Sequence, residues 1–371
     1  MSDLTAKCRV AGPAQSGNLA VYLFVEDKGS SAADGGKPLL ALEEALDRNL
    51  VVVRETDNVN LLEIENLSEA EDVYVQSGDI VKGGKQDRVL GIDLILPPKS
   101  GRMPIRAFCV ERGRWAPRGE EASDKFSSSK HYLASTELKA SATYGQDQGA
   151  VWESVGELQE SLTRTSAFRT GDLESATSLQ LTLESSETSR AIEDRLRELE
   201  KLVQEAGGPV AGAAFAINGQ FVSADVYNSS NLFLKYWPRL LRAAATEAAA
   251  KLQPDTQNTS PPPAKDATTW IALARRPAPE ERRATDRVVT RSRQTETTLL
   301  SETFDAARGE EPVHLNCVTN ALGKVRRGSG PYDTVRLSRL TEEQQQQRQA
   351  VTPEPNVARE QMEQRQRRDD E

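Results

Sequence analysis

Hydrophobic positions along this chain change period several times, and each change predicts an element. Asn18–Val25 is an apolar run of strand length, rich in β-formers. After a polar Gly/Ser/Ala stretch, Pro38–Leu50 sets Leu39, Leu42, Leu46 and Leu50 at helical spacing. Pro38 suits a first turn, so the segment predicts a helix. Val51–Glu55, Val59–Ile64, Val73–Ile80, Val89–Leu96 and Ile105–Val110 read as strands, with Pro97-Pro98 and Ser100-Gly101 breaking the chain before the last. Short strands on short turns favour an antiparallel or mixed sheet over repeating βαβ units.

From about Glu120 the chain turns polar, and Ser127-Ser-Ser129 reads as a loop. Helical spacing returns in Gln148–Leu162, through Val151, Val155, Leu158 and Leu162, and in Ser189–Gln204, through Ile192, Leu196, Leu199 and Val203. Gly207-Gly208 then supplies a C-terminal stop. Val210–Ile217 and Gln220–Val226 flank Asn218-Gly219, the dipeptide best suited to a type I′ hairpin. A helix follows over about Leu232–Leu252, with Leu234, Trp237, Leu240, Leu241 and Ala248 on its apolar face and Pro238 near its start or at a kink. Thr268–Ala274, Val288–Arg293 and Val313–Val318 read as short strands.

The fold class expected is therefore α+β, with a mostly antiparallel or mixed β N-terminal half and a helix/β-hairpin/helix-containing second half. The expected organisation is a flexible N-terminus at 1–16, a β-rich half at 17–120 and an α+β half at 121–320, with polar loops near 165–190 and 255–265. Residues 321–371 are Gln/Glu/Arg-rich, and with so few apolar side chains they are expected to be a disordered tail.

Charge and composition narrow the function classes. A net charge of −9 argues against general adhesion to nucleic-acid polymers or anionic membranes. No apolar run approaches the ~20 residues that span a bilayer, and the start lacks the apolar core of a secretory signal. A soluble, cytoplasmic protein is expected. Cys8, Cys109 and Cys317 make no Cys-x-x-Cys pair, and His131 and His314 are lone histidines, so no metal site is expected. Cys109 and Cys317 read as small hydrophobes in strands.

Candidate chemistry gathers in two stretches, Gly78-Asp-Ile-Val-Lys-Gly-Gly-Lys-Gln-Asp-Arg88 and Phe108-Cys-Val-Glu-Arg-Gly-Arg-Trp115. The first is not a P-loop: Gln86 stands where Ser or Thr should bind magnesium, and Val89–Leu96 reads as a strand where a helix is required. Two readings of it stay open. Exposed amides at Gly83 and Gly84, with Lys82, Lys85 and Arg88, make an anion site, or the glycines simply supply positive φ in a solvated hairpin. In the second stretch, Glu111 orients an arginine, Arg114 grips a carboxylate or phosphate and Trp115 stacks on a ligand, or the group is an internal ion pair capped by a core tryptophan. Glu111 and Asp87 are the candidate acid/base carboxylates. Asp225 reads as a cap of the following loop or helix in preference to a site residue.

These two stretches, together with Leu96-Pro-Pro98 and Ser128-Ser129, resemble the family named ARG and Rhodanese-Phosphatase-superfamily-associated Protein, a domain of unknown function. Ile217–Tyr227 and Tyr236-Trp-Pro-Arg-Leu-Leu-Arg242 are similar to its second signature. The resemblance covers roughly residues 17–250 and continues to about 320. The family's name reflects genomic association with ADP-ribosylglycohydrolases and a rhodanese-phosphatase protein. It implies work near ADP-ribose or NAD-derived nucleotides, without bringing settled catalytic residues or a known cofactor. The expectation is an anionic small-molecule binder using Lys82, Gly83, Gly84, Lys85, Gln86, Arg88, Arg114 and Trp115. The alternatives are an enzyme using Glu111 or Asp87, and a non-catalytic scaffold.

Overall fold

The structure, a computed structural model, describes residues 3–27, 37–56, 58, 60–84, 86–111, 126–165, 186–253, 256, 259–309, 311–320, 323, 325 and 328. Among the described residues it is an α+β fold built on three sheets, with few helices and a β-rich N-terminal half. The expected C-terminal tail lies almost wholly outside the described residues.

The largest sheet is antiparallel throughout. Its order runs from β1 (Cys8–Ser16) and β2 (Leu19–Glu26) to β12 (Val210–Ile217) and β13 (Gln220–Tyr227). It continues through β17 (Pro312–Thr319), β16 (Thr298–Asp305), β15 (Val288–Gln294) and β14 (Glu280–Arg283). The N-terminal hairpin thus completes a sheet made by the second half of the chain. Part of the stretch expected to be a flexible start forms β1, paired with β2 from Cys8↔Glu26 to Ser16↔Leu19. At the β12–β13 turn both Asn218 (φ 53°) and Gly219 (φ 78°) are left-handed, as the Asn-Gly dipeptide predicts.

The second sheet is also antiparallel. It runs β11 (Phe126–Leu133), β7 (Asp79–Gly83), β8 (Arg88–Leu90), β10 (Met103–Cys109), β5 (Leu61–Asn66) and β4 (Val51–Glu55). Ser127-Ser-Ser129 lies within β11 and is not a loop, because the β7 edge offers it backbone partners: Ser127 pairs with Lys82 and Ser128 with Val81. The third sheet is small: β3 (Leu40–Ala41), β6 (Val73–Val75) and β9 (Leu94–Leu96), with β3 parallel to β6. The apolar runs Val73–Ile80 and Val89–Leu96 are therefore each divided between two sheets. The turns at Gln76–Gly78 and Gly91–Asp93 carry the chain across.

Two period readings fail for local reasons. Only Leu42–Asp47 of the predicted Pro38–Leu50 helix forms α1, because Leu40-Ala41 is drawn into β3 by pairing with Val73 and Tyr74. The predicted strand Thr268–Ala274 is helical, within Lys265–Ala274, where Ala267, Ile271 and Ala274 bury one face at helical spacing. In chain order the other helices are α2 (Thr136–Ala140), which runs into a π turn at Ser141–Gly145, α3 (Gln148–Thr165) and α4 (Ser186–Leu199). Then come α5 (Leu202–Glu205), α6 (Ser230–Ala250) and α7 (Lys265–Ala274).

Helix α6 organises the main core. Phe233, Tyr236, Trp237, Leu240 and Leu241 are buried in it, and Trp237 stacks on Phe215 of β12 at 6.4 Å. Pro238 sits well inside this helix, where it withholds the hydrogen bond that the Leu234 carbonyl would otherwise receive. Leu234 itself, expected on the apolar face, is exposed. Among the described residues no helix is long and apolar enough to cross a membrane.

Candidate functional site

The β7–β8 hairpin begins and ends in buried charge. Its five-residue strand β7 spans only about 13 Å at the usual rise, yet the Gly78–Arg88 stretch contributes to two separate polar centres, one at each end.

At the turn end, β8 and β10 pair Cys109 with Arg88, and the Val110 N–H donates to the Asp87 carbonyl at 3.2 Å. Gln86 precedes Arg88 by two residues and Glu111 follows Cys109 by two, each just past the end of this pairing. All four are buried. Glu55, at the end of β4, reaches the same place: Arg88 Nη2 donates to both of its carboxylate oxygens at 3.4 Å. Arg88 Nη1 donates to Gln86 Oε1 at 3.3 Å. These contacts are long for charge-assisted bonds, which run ~2.7–2.9 Å. Arg88 Nε, moreover, has no hydrogen-bond partner among the described residues. The guanidinium is thus 1% exposed and weakly held.

The neighbours of Arg88 are structural in part. Asp87 Oδ1 accepts the Gly83 N–H at 3.1 Å and so closes the hairpin. Gly84 is left-handed (φ +59°), and a Cβ there would lie 2.5 Å from Phe126 Cζ and 2.7 Å from Glu55 Oε1. The Gln148 amide brackets Cys109 like a strand neighbour, accepting its N–H and donating to its carbonyl, both at 2.9 Å. Burial pushes the Cys109 thiol up, against the pull of the Arg88 charge, in keeping with a core cysteine. Gly83 is buried in β7 and Lys82 is half-buried there. Lys85, Arg114 and Trp115 lie outside the described residues.

At the other end of β7 lies a centre that sequence reasoning did not assemble. Asp225 of β13 is not a cap; Ser229 caps α6 by accepting the Leu232 N–H. Asp225 faces inward because its strand neighbour β17 supplies partners: His314 Nε2 lies 2.9 Å and Asn316 Nδ2 3.1 Å from Oδ1. Lys139 Nζ of α2 donates to the same oxygen at 2.9 Å, and Gln76 Nε2 at 3.4 Å. Burial alone would raise the Asp225 carboxyl, but Lys139 and His314 outweigh it and hold it well below the usual carboxylate range.

The network continues outward from His314. Its Nδ1 lies 2.9 Å from the Tyr74 hydroxyl, so a tautomer donating from Nε2 to Asp225 accepts from Tyr74. Tyr227 stacks on the imidazole at 4.4 Å and donates to Gln76 Oε1 at 2.6 Å. Asp79, the second residue of the opening motif, pairs with Arg239 Nη1 at 2.9 Å and accepts the Gln76 N–H at 2.9 Å. Asp93 accepts the Ser77 N–H at 2.6 Å and the Thr303 hydroxyl. Burial raises the Tyr74, Tyr227 and Tyr236 phenols, so all three act as neutral donors. Gly78 (φ +93°) fits closely here, since a Cβ would lie 3.2 Å from Lys139 Cγ.

A signal for this centre exists in β17, where His314 and Asn316 alternate with Val313, Leu315 and Cys317. Two polar residues on one face of an otherwise apolar strand mark a buried polar seam. Pairing partners as distant as Lys139 could not be read that way.

The fold and site define a mostly antiparallel α+β domain in which one hairpin strand joins the buried ionic centres at Arg88 and Asp225. It belongs to the ARG and Rhodanese-Phosphatase-superfamily-associated Protein domain family, whose model matches residues 7–318. That match begins about ten residues before the expected extent of the resemblance and ends close to its expected limit near 320. Neither the curated proteins nor the solved structures yield a match to the chain.

Proposed function

We propose that the chain binds a small anionic molecule at the Arg88 centre, with Arg88 as the clamp for its carboxylate or phosphate. The observation that carries this reading is the guanidinium's weak engagement: it is buried, its Nε has no partner among the described residues, and its remaining contacts are 3.3–3.4 Å long. Arginine offers five donors in a planar fork, and a bidentate oxyanion would accept from two of them at charge-assisted distances. Gln86 is placed to orient such a ligand, and Lys82, Gly83 and Gly84 lie along the adjoining strand and turn. Lys85, Arg114 and Trp115 complete the proposed set. The ligand class proposed, an ADP-ribose or NAD-derived compound, follows only from what the family resemblance implies. In this reading the protein works in the cytoplasm, on neither nucleic-acid polymers nor membranes.

A catalytic version of the proposal has one specific support. Glu111 is buried two residues past Cys109, the strand partner of Arg88, so it would act on a ligand held there, whereas Asp87 is tied into the hairpin. The test is thermal unfolding of the full chain with NAD, ADP-ribose, nucleotides and sugar phosphates. A ligand at ~100 times its Kd adds about 2.7 kcal/mol to stability, so a clear rise in Tm is expected with at least one of them. No rise with any at millimolar concentration would count against the proposal. Turnover lost in Glu111→Gln with binding kept would select the catalytic version.

A further inference from the structure

We infer that Glu55 is a built-in competitor at the Arg88 centre: its carboxylate stands in for a ligand's oxyanion, and an incoming anion must turn it aside. The inference rests on Arg88 being the anion clamp and concerns what governs that site. Arg88 donates to both Glu55 oxygens from the single nitrogen Nη2, at 3.4 Å each. Such a contact straddles one nitrogen and leaves the two-nitrogen fork unused. A carboxylate kept for structure in this chain does better. Arg287 grips Asp72 through Nη1 at 2.7 Å and Nη2 at 3.0 Å, and Asp305 through Nε at 2.7 Å and Nη2 at 2.8 Å. An external carboxylate or phosphate, not tethered to β4, can align on two nitrogens of Arg88 and displace the poorer partner.

The two partners also differ in freedom. Arg88 lies in β8, between β7 and β10, and its side chain is 2% exposed. Glu55 is the last residue of β4, an edge strand of that sheet, and its side chain is 14% exposed. Glu55 is therefore the partner that can turn outward. The hairpin turn admits its carboxylate, since a Cβ at Gly84 would lie 2.7 Å from Glu55 Oε1. A ligand at Arg88 thus meets both an occupied guanidinium and a like charge beside it, and each lowers its affinity.

Thermal unfolding of the full chain is titrated with ADP-ribose, NAD, AMP and ribose 5-phosphate at fixed ionic strength, each variant being referred to its own midpoint without ligand. Glu55→Gln removes the competing charge at constant shape, and at least about tenfold tighter binding is expected. Glu55→Asp keeps the charge but draws it back by one methylene, so its affinity should fall between. The gain should vanish in Glu55→Gln/Arg88→Met, which ties it to the guanidinium. Should Glu55→Gln not fold, Glu55→Asp decides by the same comparison with wild type. If wild type responds and the Glu55 variants bind equally or more weakly, Glu55 supports Arg88, and the inference is overturned while the clamp stands. No response to any probe in any of the proteins removes the clamp, and the inference with it.

Discussion

Replacing Asp225 by asparagine leaves the side chain's shape nearly unchanged and removes the one charge that four donors share. Lys139, 5% exposed, would then have lost the carboxylate that holds it at 2.9 Å. Breaking a buried ion pair from one side costs about 3–5 kcal/mol, a large part of an ordinary domain's ~5–15 kcal/mol. An asparagine must also turn either its oxygen or its NH₂ toward His314, Asn316 and Gln76, so Asp225→Asn should fall in the upper half of that range. Lys139→Met should cost less, about 2–3 kcal/mol, because Asp225 keeps three other donors and loses one hydrogen bond to a charged group. With both changes the unpaired charge is gone, so the costs should fall short of additivity by about 2 kcal/mol.

Urea unfolding followed by circular dichroism gives these differences from the shift in midpoint at constant m. The pH dependence has a definite sign. The folded carboxyl titrates below its unfolded value, so its stabilisation is complete above the unfolded value of ~3.9 and disappears as pH falls through the folded one. Wild type and Asp225→Asn should therefore differ most near neutrality and converge in acid. An Asp225→Asn cost below about 1 kcal/mol, or full additivity with Lys139→Met, would refute the reasoning.

Three further outcomes follow from single sites. Gly84→Ala sets a Cβ against Phe126 and Glu55 at a left-handed φ, and overpacking of this kind should lower stability by about 1–3 kcal/mol in the same urea assay. Ser229→Ala removes the acceptor for the Leu232 N–H at the start of α6, and loss of an N-cap should cost about 1 kcal/mol with m unchanged. Arg287 bridges Asp72 (2.7 Å) and Asp305 (2.7 Å), tying the third sheet to the largest. Arg287→Met should cost about 2 kcal/mol or more, less than a fully buried pair because the side chain is partly exposed, and should speed hydrogen exchange in Val73–Val75.

Local rules read the fold well where one segment decides its own structure. Asn218-Gly219 specifies its hairpin because both residues tolerate positive φ, and Gln148–Thr165 announces α3 through Val151, Val155 and Leu162. The same rules misread Leu39-Leu40 and Thr268–Ala274. There a helical and an extended reading compete over few residues, and a distant partner such as Val73 settles the outcome. The Gly78–Arg88 stretch was legible as a concentration of polar groups, but not as a strand bridging two centres. Lys139, Asp225 and His314 are separated by 86 and 89 positions, and no spacing rule relates residues brought together by three different elements. Glu55 joins Arg88 for the same reason, from a strand whose sequence reads as purely structural.

Calorimetric titration of wild type and Arg88→Lys side by side, using whichever of ADP-ribose, NAD, nucleotide or sugar phosphate raises Tm, tests whether Arg88 clamps an anionic ligand. Lysine keeps the charge but loses the planar fork. At least a tenfold loss of affinity is expected in Arg88→Lys, with the unfolding midpoint in the absence of ligand shifted far less than by Asp225→Asn. Equal affinity in the two proteins would contradict it.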